Sequence, residues 1–184
     1  MNTEIRILGI SGSLRKESSN TAILATVAEQ LPNNATLEIA SLNLPLYDED
    51  LDHENCPASV TDLRCKVAQC HALLIASPEY NHGVSGVLKN ALDWLSRPHG
   101  HSVLFRKPVL TFSASPAFTG GVRSHQQLSE TLQAVQANQI SYPQIVIGGV
   151  TGKISNGKLV DEAALGFLLA GVKQLISTCF VELK

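Results

Sequence analysis

The chain has 184 residues, 14 Lys+Arg against 16 Asp+Glu, a formal net charge of −2, 44% hydrophobic residues and 16% charged residues. A chain of this length buries about 70% of its unfolded surface, so residues 1–184 are read as one folded domain and disorder is excluded. The near-neutral balance, free of basic runs, excludes a protein held to nucleic acid by counterion release, and no apolar stretch approaches the roughly 20 residues that span a bilayer.

In chain order, residues 5–10 (I-R-I-L-G-I) predict a first strand, entered directly from the N-terminus without the basic and apolar segments of a secretory leader. Residues 20–31 predict a helix with Ile23, Leu24, Val27, Ala28 and Leu31 on one face, and residues 36–40 a second strand. A loop over 42–56 holds five acidic residues, Asp48, Glu49, Asp50, Asp52 and Glu54, and is read as a solvated run. Pro57 suits the first turn of a helix reaching Cys70. Residues 71–77 (H-A-L-L-I-A-S) predict a third strand stopped by Pro78. After a polar turn comes a helix whose Val84, Val87, Leu88, Ala91, Leu92 and Leu95 form one apolar stripe. A strand over 108–113, a helix over 122–137, a fifth strand over 144–147 and a closing helix over 161–177 complete the pattern.

Short β-branched runs alternating with helical periods predict an α/β fold. Because the strands are apolar almost without interruption, the sheet is covered by helices on both faces, hence parallel and doubly wound. Cys56, Cys65, Cys70 and Cys179 contain no C-x-x-C pair, and a chain of this size folds without disulfides, so they are read as packing residues of a protein in a reducing cytoplasm. His99 and His101 are the only closely spaced histidines, and no metal site is expected.

Open parallel sheets bind ligands beyond the C-terminal ends of their strands, which directs attention to three segments. The first, after strand one, reads S-G-S-L-R-K-E-S-S-N-T. A hydroxyl-rich loop entering a helix offers free N–H groups and a positive dipole end to an anion, and Arg15 adds a bidentate donor. The plainer reading is a helix cap from Ser18, Ser19 or Asn20 beside a solvated Arg15. The loop matches neither G-x-x-x-x-G-K-[ST], nor G-x-G-x-x-G, nor the G-x-S-x-G nucleophile elbow, whose fifth position is Ser13 here. The second segment, Ser77-Pro78-Glu79-Tyr80-Asn81-His82-Gly83, mixes an aromatic ring with amide and carboxylate groups, as a flat heteroaromatic ligand requires, or makes only a strand-to-helix turn. The third runs from Ser113 through Ser115, Pro116, Ala117 and Phe118 to Gly120, Gly121 and Arg123. Its small residues allow close backbone approach to a ligand, or simply a flexible loop.

The strings G-S-L-R-K-x-S-x-N, L-P-L-Y-D-x-D-L and S-P-E-Y-N-H-G-V-S-G-V-L-K-N-A-L-D-W resemble the NADPH-dependent FMN reductase family, which includes flavin, quinone, azo-dye and chromate reductases. The similarity runs over nearly the whole chain. It implies a flavodoxin-like three-layer sandwich, a five-stranded parallel sheet of order 2-1-3-4-5 with helices on both faces. It also implies FMN as cofactor, with Ser13, Arg15, Ser18, Asn20 and Thr21 at the phosphate. Pro78, Glu79, Tyr80 and Asn81 would line the isoalloxazine, Gly83 would let the next helix start close by, and Ser115 and the Gly120-Gly121 pair would border the ring. Tyr47 and Asp48 are candidates to close the pocket, from the acidic loop or from a neighbouring subunit, while Ala117-Phe118 departs from the glycine common in that loop.

On this reading NADPH or NADH gives hydride to the flavin and a small-molecule acceptor, such as a quinone, free flavin, azo compound or metal oxyanion, takes the electrons. No catalytic side chain is expected, because the cofactor carries the chemistry. His82 is read as a structural residue rather than a proton donor. The alternative is an electron carrier or flavin-binding regulator without turnover. The resemblance and the low charge together predict a homodimer or homotetramer.

Overall fold

The computed structural model describes residues 4–54 and 56–182; residues 1–3 and 183–184 of the expected domain, and Asn55 of the acidic loop, lie outside the described residues. The strands form one main sheet. Strand β1 (Ile5–Ser11) is flanked by β2 (Ala35–Ala40) and β3 (Ala72–Ser77), β3 pairs β6 (Pro108–Ala114), and all these pairings are parallel. The order β2-β1-β3-β6-β7 is the expected 2-1-3-4-5 arrangement. The fifth strand comes in two pieces. β7 (Asn138–Gln139) pairs the start of β6, and β8 (Ile145–Ile147), the piece expected from the sequence, pairs its end.

Every residue of β3 and β6 is buried, as continuous apolar runs require, and alternation along each strand divides the core. Ile5 and Ile7 of β1, Leu74 and Ala76 of β3, and Phe112 of β6 join α1 (Ser19–Glu29) and α5 (Glu162–Glu182) on one face. Leu8, Ile10, Leu73, Ile75 and Val109 meet α2 (Ala58–Gln69), α3 (Gly86–Leu95) and α4 (Val122–Ala134) on the other. These two cores and the sheet between them are the three layers of a flavodoxin-like sandwich.

Three expectations change. Val84 does not open the helix: it lies in a small hairpin of β4 (Glu79–Tyr80) and β5 (Gly83–Val84), and α3 begins at Gly86 with Ser85 as its cap. A second hairpin, β9 (Ile154–Ser155) with β10 (Lys158–Leu159), lies in a stretch to which the sequence pattern assigned no element. Finally, α5 extends to Glu182, and its residues 162–181, with mean hydropathy 1.7, are long and apolar enough to cross a membrane by length and composition. Lys173 and Gln174 break the run to the eye without ending the helix. Its Leu168, Val172, Leu175, Ile176 and Cys179 belong to the core, which is the behaviour of a sheet-covering helix.

The acidic loop is not wholly solvated. Asp52 meets the Arg64 guanidinium through both oxygens at 2.7 and 2.9 Å, and Arg64 also donates to the Trp94 carbonyl. Tyr47 packs edge-on against the Trp94 ring at 4.9 Å, and Asp48 caps a short turn at Glu49–Leu51. Tyr47 therefore belongs to the α3 side, and within one chain neither residue lines the clefts beyond the strand ends. No disulfide joins the cysteines among the described residues; Cys70 and Cys179 are buried, whereas Cys65 is exposed.

Candidate active site

The three loops converge beyond the C-terminal ends of β1, β3 and β6. Ser13, Arg15, Ser18 and Asn20 from the first, Pro78, Glu79 and Tyr80 from the second, and Ser115 from the third line a common cleft of about 130 Å³. Thr21 lines an adjoining, larger cleft of about 640 Å³. Asn81, Gly83 and Gly120 line neither. Ser19, Ala114, Pro116 and Val150 complete the smaller cleft. Val150 follows β8, so applying the strand-end rule to the fifth strand as well would have found it.

At the first loop both readings hold together. The Ser18 hydroxyl caps α1 by accepting the Thr21 N–H at 3.3 Å. The N–H groups of Ser19 and Asn20 have no intrahelical acceptor, by the ordinary geometry of a helix start, and such groups suit an anion. Thr21 shares a 2.7 Å hydrogen bond between its hydroxyl and that of Ser11. Asn20 is buried; its amide donates to the Ala114 carbonyl at 3.2 Å, tying the loop to β6, while its Oδ1 is buried with no partner. A buried acceptor left open needs a donor. Arg15 is exposed and forms no ion pair among the described residues. Ser85, unremarked in the sequence, donates its hydroxyl to the Gly12 carbonyl at 2.6 Å and accepts the Leu88 N–H, holding this loop against α3.

The second loop is a tight hairpin. Asn81 and His82 have φ of 50° and 66°, the two left-handed central residues of a two-residue hairpin turn. This presents Tyr80, half exposed, at the cleft. Glu79 reaches across to α4: its Oε2 accepts the N–H groups of Arg123 and Ser124, each at 3.0 Å. That helix needs the outside cap, because its own N-cap residue is Gly121, at φ 86°, with no side chain to offer. Gly83 serves a different purpose from the one expected. Helix α3 does not start there; instead Gln127 Oε1 accepts the Val84 N–H at 2.7 Å, and a Cβ on Gly83 would lie 3.0 Å from that oxygen. His82 accepts at Nδ1 from Arg123 at 3.0 Å, a structural contact as expected.

In the third loop Ser115 is buried, and its hydroxyl accepts the Ala117 N–H at 3.2 Å. Gly120 packs on the end of β8, where a Cβ would come within 2.5 Å of Val146; it anchors the loop rather than bordering the cleft. Phe118 projects, 94% exposed.

These groups fit a flavin nucleotide. Free helix N–H groups and Arg15 match a phosphate, the open Asn20 acceptor matches a hydroxyl of a polyol chain, and the Tyr80 hairpin offers a surface for a flat ring. Among the described residues, no group of three or more His, Cys, Asp or Glu side chains is arranged to hold a metal ion.

Comparison with known proteins agrees with this chemistry. The family model for NADPH-dependent FMN reductase matches residues 5–152. An NAD(P)H-dependent FMN reductase of Pseudomonas aeruginosa is 36% identical over 166 residues, covering 89% of each chain. A quinone reductase of Escherichia coli is 34% identical over 175 residues, covering 91% of this chain and 92% of its own. The solved structure of FerB, a flavoenzyme NAD(P)H:(acceptor) oxidoreductase from Paracoccus denitrificans, superimposes with a TM-score of 0.84 at 26% identity, over 95% of this chain and 97% of that one. The chain belongs to the NADPH-dependent FMN reductase family and is an FMN-dependent oxidoreductase that draws its electrons from NAD(P)H.

Proposed function

We propose that residues 1–184 work as one FMN-binding domain that reduces quinones and related small acceptors in the cytoplasm, as a homodimer or homotetramer. The carrying observation is the cleft where the start of α1, the Tyr80 hairpin and the Ser115 loop meet. Ser13, Arg15, Ser18 and the first N–H groups of α1 receive the cofactor phosphate. Asn20 Oδ1 accepts from the polyol chain. A cleft of about 130 Å³ is below the roughly 300–1,000 Å³ of a whole small-molecule site, so it takes the phosphate end and leaves the ring to the open side at Tyr80. Bound FMN supplies the hydride and electron transfer, and the chain positions it and tunes it.

Pro78 lines the cleft, and the N–H groups of the hairpin backbone, fixed by the Glu79 cap on α4, offer the ring edge preorganised dipoles that favour negative charge. Asn81 and Gly83 act by making the turn that holds Tyr80 in place, and Gly120 by seating the third loop. Thr21 acts through its bond to Ser11 at the loop entry. Leu14, Tyr80 and Phe118 give each loop one large, exposed apolar side chain, which supports a flat, apolar acceptor such as a quinone. In FMN-loaded protein, NADPH consumption that requires a quinone is the expected result. Reduction of the bound flavin without acceptor-dependent turnover would establish an electron carrier instead.

A further inference from the structure

The larger cleft has no role in holding FMN as assigned above. It spans about 640 Å³, between the flank of α1 and the β9–β10 hairpin, and shares Arg15, Ser18, Ser19 and Pro116 with the smaller one, so the two are continuous. Its volume lies within the roughly 300–1,000 Å³ of small-molecule sites. Ala22, Ala25, Pro116 and Ile154 give it apolar surface, and Thr151 gives it a hydroxyl. Its cations are Arg15 and Lys16, both exposed and both outside every ion pair among the described residues; the lysines of the neighbouring hairpin region are already engaged, Lys158 with Glu29 at 2.6 Å and Lys153 with Asp161 at 3.5 Å. Glu17 is the one carboxylate in the lining.

We infer that this cleft receives the adenosine end of the reductant, with the adenine against the Ala22–Ala25 flank and the 2′-phosphate of NADPH at Lys16. The inference rests on the reading of the smaller cleft as the FMN phosphate site, since only then is the adjoining volume left for a second nucleotide. Continuity through Arg15 and Ser19 joins the two ligands along one trough. Lys16, rather than Arg15, discriminates NADPH from NADH, because Arg15 is shared with the FMN phosphate whereas Lys16 lines the larger cleft alone.

The test is calorimetric titration of FMN-loaded protein with 2′,5′-ADP and with 5′-AMP. The 2′-phosphorylated probe should bind more tightly. Lys16→Ala should weaken it roughly tenfold, the scale of one charge-assisted hydrogen bond, while shifting 5′-AMP little. Glu17→Gln should tighten 2′,5′-ADP by removing the opposing charge. In turnover, Lys16→Ala should raise the KM for NADPH by a similar factor and change that for NADH less than the NADPH value. Equal affinity for the two probes, or no response of 2′,5′-ADP to either substitution, overturns the assignment. Reduction of bound FMN by NADPH, followed separately in the same preparations, reads the function itself. If it persists while the probe results are negative, the cleft assignment alone has failed.

Discussion

Arg15 is exposed, unpaired among the described residues, and shared by both clefts. Because nothing in the fold leans on it, Arg15→Ala should weaken FMN binding by about 1.5–3 kcal/mol, the range for a hydrogen bond to a charged group, and leave the thermal midpoint nearly unchanged. Fluorescence titration with FMN measures the first and circular dichroism the second; unaltered affinity would move the phosphate elsewhere. Ser13, Arg15 and Ser18, which the family resemblance put at the cofactor phosphate, all line the smaller cleft, because a hydroxyl-rich helix start carries its chemistry locally. Asn20 was found too, but its orphaned Oδ1 depends on a bond to β6, 94 residues away in the chain. His125 was not singled out at all. It is buried on α4 with Nε2 at 3.1 Å from Thr111 Oγ1 and Nδ1 without a partner. Burial pushes its pKa down, and burial, then the neighbouring charges of Arg6 and Lys107, push down that of His71. The unfolded chain therefore takes up protons first as pH falls. The stability these neutral rings contribute is whole above the ordinary histidine value of about 6.5 and is lost progressively below it. Thermal midpoints should decline from about pH 7 to about pH 5, and His125→Gln should flatten part of the decline. A midpoint constant over that interval would refute the argument.

Helix α4 shows how one element's end is completed by another. Gly121 turns the chain into the helix but gives it no capping side chain, so Glu79, 44 residues earlier, closes the N–H groups of Arg123 and Ser124. The carboxylate also meets the positive end of the helix dipole. Glu79→Ala should cost about 1–2 kcal/mol in urea unfolding, the usual loss for a helix cap, and loosen the hairpin that carries Tyr80. Glu79→Gln keeps an acceptor oxygen and should recover part of the loss; equal stability of all three proteins would show that the cap contributes nothing. This cap could not be read from the sequence, because only the folded chain brings β4 to α4. The same reason hid both hairpins and the first piece of the fifth strand. Two-residue strands have no hydrophobic period, so tertiary pairing alone defines them. The turn at Asn81-His82 lacks the glycine that would have marked it. By contrast β1, β3 and β6 were legible, since burial on both faces leaves a nearly unbroken apolar run, interrupted in β1 by the exposed Arg6.

The charged fraction of 16% lies below the roughly 25% of ordinary soluble domains, and the two-sided core accounts for only part of the difference. The sheet and its facing helix stripes are saturated: Trp94, Phe112 and the core leucines and isoleucines have no exposure to spare. Yet α5 combines a mean hydropathy of 1.7 with only 33% of its apolar window buried, and Phe167 and Val181 are exposed at 43% and 73%. Leu14, Tyr80 and Phe118 on the three loops are exposed as well. Five α5 side chains anchor it in the core, so withdrawing the helix into a membrane would uncover the sheet at about 1.5–3 kcal/mol for each large apolar residue exposed. In the proposed homodimer or homotetramer, contact between copies would remove this surface from water while leaving each sandwich intact. Sedimentation across the micromolar range should therefore give two or four times the 19.7 kDa of one chain, with the mass independent of added FMN because the outer face of α5 lies apart from the clefts. A single 19.7 kDa species at every concentration would show that this apolar surface is tolerated in water by the monomer.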